Sequence, residues 1–480
     1  MPSTGIMMGI KERLERLETR SGAKRQARDE IVSDLKKRLE RLARDRRIVA
    51  EGKKSRPVEE LIGGQEVATP HGKTLMREET YGSGYRHGGM LLDRILEIPT
   101  DSISVVSRDE SLVGLDFSRT LFIDVETTGL AGGTGTCAFL VGVGFFEGGR
   151  FITRQFFLRD FSEERAMLWL LGKLAARFRF LVTFNGKRFD VPVLETRFVL
   201  SQMENPLRDL PNHDLLFPSM RIWRGAYGDC RLATLESHVL DIQRHDDIPS
   251  EMIPYVYFDY LRTGDGNRIQ RVFYHNRMDV LSLVTLAGRI HELVHAPQTA
   301  SKREWVEPYA VGRLLSNRKR TGEAIGCFHH ALRICKDSGE WEILKHLSLA
   351  MKRERQMEGA VSLWKEMVSL DGSRGLFPYE ELGKYYEHHA KDYQEALRWV
   401  REASGKLRDL SMVEREALQR RYRRLLSKKS GGKDSGEGVA EISSRSLPPW
   451  QCSRRRVDQD RVHESSSGRG SGCKGRGSGR

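Results

Sequence analysis

From Thr120 onward the apolar positions fall into short blocks separated by polar turns. Leu121-Phe122-Ile123 is one block, 138–146 a second and 151–158 a third, and Glu147-Gly148-Gly149 between the last two has hairpin composition. Ser162 with Glu163 and Glu164 opens a helix to about Phe178, its acidic residues suiting the positive end of the helix dipole. The pattern then predicts a strand over 180–184, a helix over 188–201, a weaker strand near 212–216 and a long apolar-periodic helix over 271–294. Three meandering strands followed by helix-linked strands imply an α/β mixed sheet flanked by helices, occupying 119–296.

Polarity changes on either side. Residues 10–50 read as thinly amphipathic helix, within a basic helical arm at 1–56, and 57–118 read as a glycine-rich, irregular lead-in packed on the domain that follows. Beyond 304 the chain repeats. Glu323-Ala324-Ile325, Gly359-Ala360-Val361 and Glu395-Ala396-Leu397 recur every 36 residues, each followed seven residues after its alanine by Ala331, Met367 or Ala403. That spacing predicts an all-α helical-hairpin repeat domain over 304–424, close in period to tetratricopeptide units, with small residues where paired helices approach. The Ser/Gly/Arg composition of 425–480 cannot bury a core and reads as a disordered basic tail.

Composition narrows the function. The longest apolar stretch, 137–146, is half a membrane span, so no membrane partner is expected. The N-terminus lacks the apolar block of a secretory signal, and six cysteines without a Cys-x-x-Cys pair imply a reducing, cytoplasmic setting. The net charge of +14 is uneven: residues 1–56 carry +8, residues 406–480 carry +10, and the middle carries −4. The ends can therefore add salt-sensitive phosphate affinity, while any reaction belongs to the middle.

Candidate chemistry begins at Asp124-Val125-Glu126. Residues two apart on a strand share a face, so both carboxylates enter one small volume, and hard oxygen ligands suit Mg²⁺ or Mn²⁺. Thr127-Thr128-Gly129 follows at once, offering backbone N–H groups and a turn that lets a nucleotide approach, with Thr127 and Gly129 as substrate-binding candidates. Asn185-Gly186-Lys187-Arg188-Phe189-Asp190 leads from a buried strand into a helix and brings a third carboxylate, Asp190, to the sheet edge; Asn185 and Lys187 are candidates for touching substrate phosphates. His275 and Asp279 are four apart on the last helix and share a face, whereas Tyr274 is turned away, so His275 is the candidate base for an attacking water. Asp214, beside His213, reads as structural.

At these residues the chain resembles the DEDD family of 3′ to 5′ exonucleases on the ribonuclease H-like fold, and within it a bacterial group, YprB-like in name, that appends tetratricopeptide-type repeats. The resemblance rests on the run from Asp124 to Thr136, on Phe184-Asn185-Gly186-Lys187-Arg188-Phe189-Asp190, on His213-Asp214-Leu215-Leu216 and on Tyr274-His275-Asn276-Arg277-Met278-Asp279. It implies a two-metal site with Asp124, Glu126, Asp190 and Asp279 as ligands, nucleic acid (DNA or RNA) as substrate, and repeats that bind a protein partner or position substrate. One departure concerns the base. Exonucleases of this family place His with four residues, or Tyr with three, before the last Asp; here His275 has three between and Tyr274 has four, and helix geometry favours His275. Two further readings stay open at this level: a structure-specific endonuclease sharing the site, and a catalytically inactive adaptor working through its repeats.

Overall fold

A computed structural model describes residues 57–430 apart from 102, 130–134, 298–304, 337–338 and 408–409; the arm read at 1–56 and the tail beyond 430 lie outside the described residues. The chain packs as two units divided between Ala360 and Val361. The first begins with α1 (Val58–Ile62), β1 (Gln65–Thr69), β2 (Gly72–Tyr81), a small hairpin of β3 (Arg86–His87) and β4 (Met90–Leu91), and α2 (Ile103–Ser107). Next come β5 (Thr120–Thr127), β6 (Ala138–Glu147), β7 (Arg150–Phe157), α3 (Glu164–Ala175), β8 (Phe180–Thr183), α4 (Asp190–Leu200) and β9 (Asn212–Asp214). Four helices follow: α5 (Leu216–Tyr227), α6 (Leu232–His238), α7 (Ile253–Thr263) and α8 (Ile269–His295).

Seven strands form one mixed sheet in the order β1-β2-β7-β6-β5-β8-β9, parallel at β5-β8 and β8-β9 and antiparallel elsewhere. β6 is apolar and buried from Ala138 to Phe146, as a strand covered on both faces must be. α8 packs on β5, β6 and β7. Its close approach is set by glycine: a Cβ on Gly144 would come within 2.3 Å of Phe151 and 2.7 Å of Val280. Each apolar side chain that α8 buries here, such as Val280, Leu283 and Val284, contributes about 1.5–3 kcal/mol. Tyr257 of α7 stacks on Phe139 with ring centroids 3.9 Å apart and donates its hydroxyl to the Leu158 carbonyl, tying α7 to the sheet.

The lead-in is where the fold departs from the sequence reading. Residues 57–118 are not merely packed on the sheet; β1 and β2 are its first two strands, β2 pairing antiparallel with β7 from Leu75↔Phe157 to Tyr81↔Phe151. The apolar alternation that marks a strand is missing because ion pairs do part of the work: Glu78 meets Arg154 of β7 at 2.5 Å, and Glu79 meets Arg277 of α8 at 2.6 Å.

After α8 the chain is a run of helices: α9 (Val306–Asn317), α10 (Thr321–Ile334), α11 (Glu340–Arg353), α12 (Met357–Asp371), α13 (Phe377–His388), α14 (Tyr393–Lys406) and α15 (Met412–Lys429). α9 packs on α10, and in the second unit α13 packs on α14. The recurrent positions Ala324, Ala331, Ala360, Met367, Ala396 and Ala403 are all fully buried, as close helix packing requires. Within the first unit α9 also docks on α5. Buried Glu307 accepts from Trp223 Nε1 at 3.0 Å and from Arg289 Nη2 at 2.9 Å. α15 runs to Lys429, past the limit of 424 read for the repeats, because Leu425 is still fully buried. No helix among the described residues is long and apolar enough to cross a membrane.

Candidate metal centre

β5 is apolar and buried except at Asp124 and Glu126, the two partly exposed positions of its burial pattern, spaced two apart on one face beneath α8. Its pairing shifts register between Glu126 and Thr127, so the strand ends irregularly just beyond the second carboxylate. Asp190, buried at the start of α4, carries its carboxylate to Asp124 and takes hydrogen bonds from the backbone of Val125 and of Asp190 itself. From α8, His275 Nε2 lies 3.5 Å from Asp279 Oδ2 and 3.9 Å from Glu126 Oε1. Ligand atoms of Glu126, His275 and Asp279 all fall within 4.8 Å of one another. The structure thus brings the five proposed catalytic residues together from three elements.

Electrostatics mark the cluster as short of positive charge. Burial first, and then repulsion from Asp279, pushes the Asp124 carboxyl up; burial and Asp124 do the same to Glu126 and Asp190. Burial opposes the imidazolium of His275, but Asp279, Asp247 and Glu126 outweigh it and push that group up to about 10. These shifts share one sign. A group whose folded pKa is raised contributes stability below its unfolded pKa and loses it as pH rises through the folded value. The metal-free protein should therefore melt at progressively lower temperature as pH rises through about 7, where the Asp124 carboxyl ionises, and on to about 10, where His275 loses its proton, and added Mn²⁺ should recover most at the alkaline end. Calorimetric melts with chelator and with Mn²⁺ check both.

Substrate-binding candidates are placed differently. Thr127 donates its hydroxyl to the Gly129 carbonyl at 2.8 Å, and among the described residues none comes within 4 Å of the side that Gly129 leaves bare. Asn185 sits at φ 61 in the turn after β8, and Gly186 is obligatory there, since a Cβ would come within 2.4 Å of Thr183. Asp214 holds this turn: its oxygens accept from the backbone N–H groups of Asn185 at 2.7 Å, Lys187 at 3.1 Å and Leu216 at 3.1 Å. The Lys187 ammonium points to Asp109, 2.7 Å away. Tyr274 faces Arg277, whose guanidinium carbon lies 5.7 Å from its ring centroid.

Several polar residues at the site escaped the sequence reading. Asn276 is fully buried and donates from Nδ2 to the Asp124 carboxylate at 2.8 Å and to its carbonyl at 3.1 Å, while its Oδ1 accepts from Gln155 Nε2 at 2.8 Å. Gln155, a lone amide in the apolar strand β7, was the available signal. Asp247, in the loop before α7, sets both its oxygens 2.9 and 3.0 Å from His275 Nδ1. A carboxylate only accepts, so Nδ1 carries the proton and Nε2 faces the other carboxylates. Arg244 bridges Asp247, Asp279 and Glu236. A cavity of about 860 Å³ opens beside these groups, lined by Asn185, Arg244, Asp247, His275 and Asp279 and also by Phe184, Met220 and Arg224.

Gly142, opposite Asp124 in the β5-β6 ladder, makes room for the amide: a Cβ there would come within 2.1 Å of Asn276 Oδ1. Gln155 and Asp124 pin that amide at both ends. Gly142→Ala is accordingly expected to cost about 1–3 kcal/mol in denaturant unfolding, with Asp124 displaced by the shifted amide.

A fold of this topology with carboxylates of an interior strand clustered beneath its last helix is that of an RNase H-like domain, and the family model described as RNase_H superfamily matches residues 121–291. That superfamily is generally one of hydrolytic nucleases, typically dependent on divalent metal, and points to nucleic acid as substrate. The uncharacterized protein YprB of Bacillus subtilis (strain 168) is 31% identical over 359 residues, covering 74% of this chain and 86% of YprB. The chain belongs to the YprB family of RNase H-superfamily proteins.

Proposed function

We propose that this protein is a divalent-metal-dependent 3′ to 5′ exonuclease of the DEDD type that hydrolyses phosphodiester bonds of DNA or RNA in the cytoplasm. The observation that carries the reading is the convergence of Asp124, Glu126, Asp190 and Asp279 with His275 beside an open cavity. The donor set fits Mg²⁺ or Mn²⁺: four carboxylates, mutually repelled and in need of cationic charge. Bound ions would lower the pKa of the attacking water and steady the leaving oxygen. Asp124, Glu126, Asp190 and Asp279 would hold two such ions, and Asn276 keeps Asp124 aimed.

His275 takes the proton of the attacking water at Nε2, oriented through Nδ1 by Asp247. Asp279, Asp247 and Glu126 favour the protonated imidazole, so His275 would be free to accept at Nε2 once the charge of these carboxylates is offset by bound cations. Asn185, which lines the cavity, together with Lys187, Thr127 and Gly129 would contact substrate phosphates, Lys187 by exchanging its Asp109 partner, and the tetratricopeptide-like repeats position substrate or bind a protein partner. Oligonucleotides labelled at either end test the polarity. A 5′-labelled strand should shorten as a ladder, while its 3′-labelled twin releases mononucleotide from the outset; internal fragments from a closed circle would instead make it an endonuclease.

A further inference from the structure

We propose that Arg244 is a built-in counter-cation of the metal centre, a positioning residue that fixes which carboxylate oxygens face the ions and the water. Its guanidinium clasps two carboxylates at once. Nη1 donates to Asp247 Oδ2 at 3.0 Å, and Nη2 to Asp279 Oδ1. Both carboxylates also address the same imidazole: Asp247 keeps both oxygens, the one bonded to Arg244 included, 2.9 and 3.0 Å from His275 Nδ1, and the free oxygen of Asp279, Oδ2, lies 3.5 Å from Nε2. One fork therefore sets both brackets of His275 and leaves Asp279 a single oxygen for a ligand.

The fork is itself locked. Glu236, 2% exposed, accepts from Arg244 Nε at 2.7 Å and from Nη2 at 2.5 Å, and Ser282 of α8 donates its hydroxyl to the same carboxylate. His87 of β3 holds Ser282 Oγ at 2.8 Å. A buried carboxylate placed this way keeps the guanidinium from swinging into solvent, and planar bidentate geometry is what arginine supplies and lysine does not. The positive charge also competes with a divalent ion for Asp279. Arg244 thus trades metal affinity for geometry.

The inference rests on the nuclease reading, and its test separates the two. Wild-type full chain, Arg244→Ala and Arg244→Lys are titrated with Mn²⁺, free ion being followed by electron paramagnetic resonance, and turnover is measured on labelled single strands. Arg244→Ala should bind Mn²⁺ roughly 10-fold more tightly, because a neighbouring positive charge has gone. Its kcat should fall roughly 100-fold with KM changed less than about threefold, the signature of misplaced rather than missing groups. Arg244→Lys should bind Mn²⁺ like wild type and still turn over at least ~10-fold more slowly, since the charge stays while the fork is lost. Unchanged or weaker Mn²⁺ binding in Arg244→Ala, or full turnover in either variant, would overturn the proposal. Should Arg244→Ala fail to fold, the lysine variant decides alone. If wild type cleaves nothing, the nuclease reading falls while the Mn²⁺ comparison still judges Arg244.

Discussion

Asp124→Asn should lower kcat by roughly 100-fold or more, the scale of losing one preorganised charge-stabilising group. The substitution is nearly isosteric, and Asn276 would meet an amide where it now meets a carboxylate oxygen at 2.8 Å. Packing around β5 has little reason to change, so the melting temperature in chelator should stay equal or rise, one of several repelling charges having been removed. Loss of activity with retained or improved metal-free stability identifies a functional carboxylate; loss of both would mark a structural one. Steady-state turnover in Mg²⁺ or Mn²⁺ beside a melt in chelator makes the distinction.

His275→Ala should reduce turnover by about 10²- to 10⁴-fold, the usual contribution of a general base, whereas Tyr274→Phe should change it little. The contrast is geometric. His275 is 8% exposed, held by Asp247 from one nitrogen and facing Asp279 and Glu126 with the other. Tyr274 lies against Arg277. Asp247→Asn offers a milder version, because an amide can present a donor to Nδ1 and favour the wrong tautomer. A larger effect at Tyr274 than at His275 would contradict this register.

Much of this site was legible because its residues obey local periodicities. Period two on β5 joins Asp124 to Glu126, and a four-residue step on α8 joins His275 to Asp279. The central strands stood out for a similar reason: β6 is an unbroken apolar run covered on both sides. Elements held by distant charges were hidden. β1 and β2 carry few buried apolar side chains, and β2 is bound in part by Arg154 and Arg277, residues that lie far away in sequence. Arg244 and Asp247 sit in a loop with no periodicity, and only the fold brings them to α8. Asn276 stood inside a recognised run of residues with no role assigned to it, since nothing local says that its amide reaches β5 past Gly142.

The most direct measurement of the central claim is hydrolysis of end-labelled DNA and RNA by the full chain in Mg²⁺, in Mn²⁺ and in chelator, with Asp124→Asn purified alongside. The account predicts products only with metal, formed by wild type and lost by roughly 100-fold or more in the variant. Cleavage that persists in chelator, or that is equal in the two proteins, would contradict it.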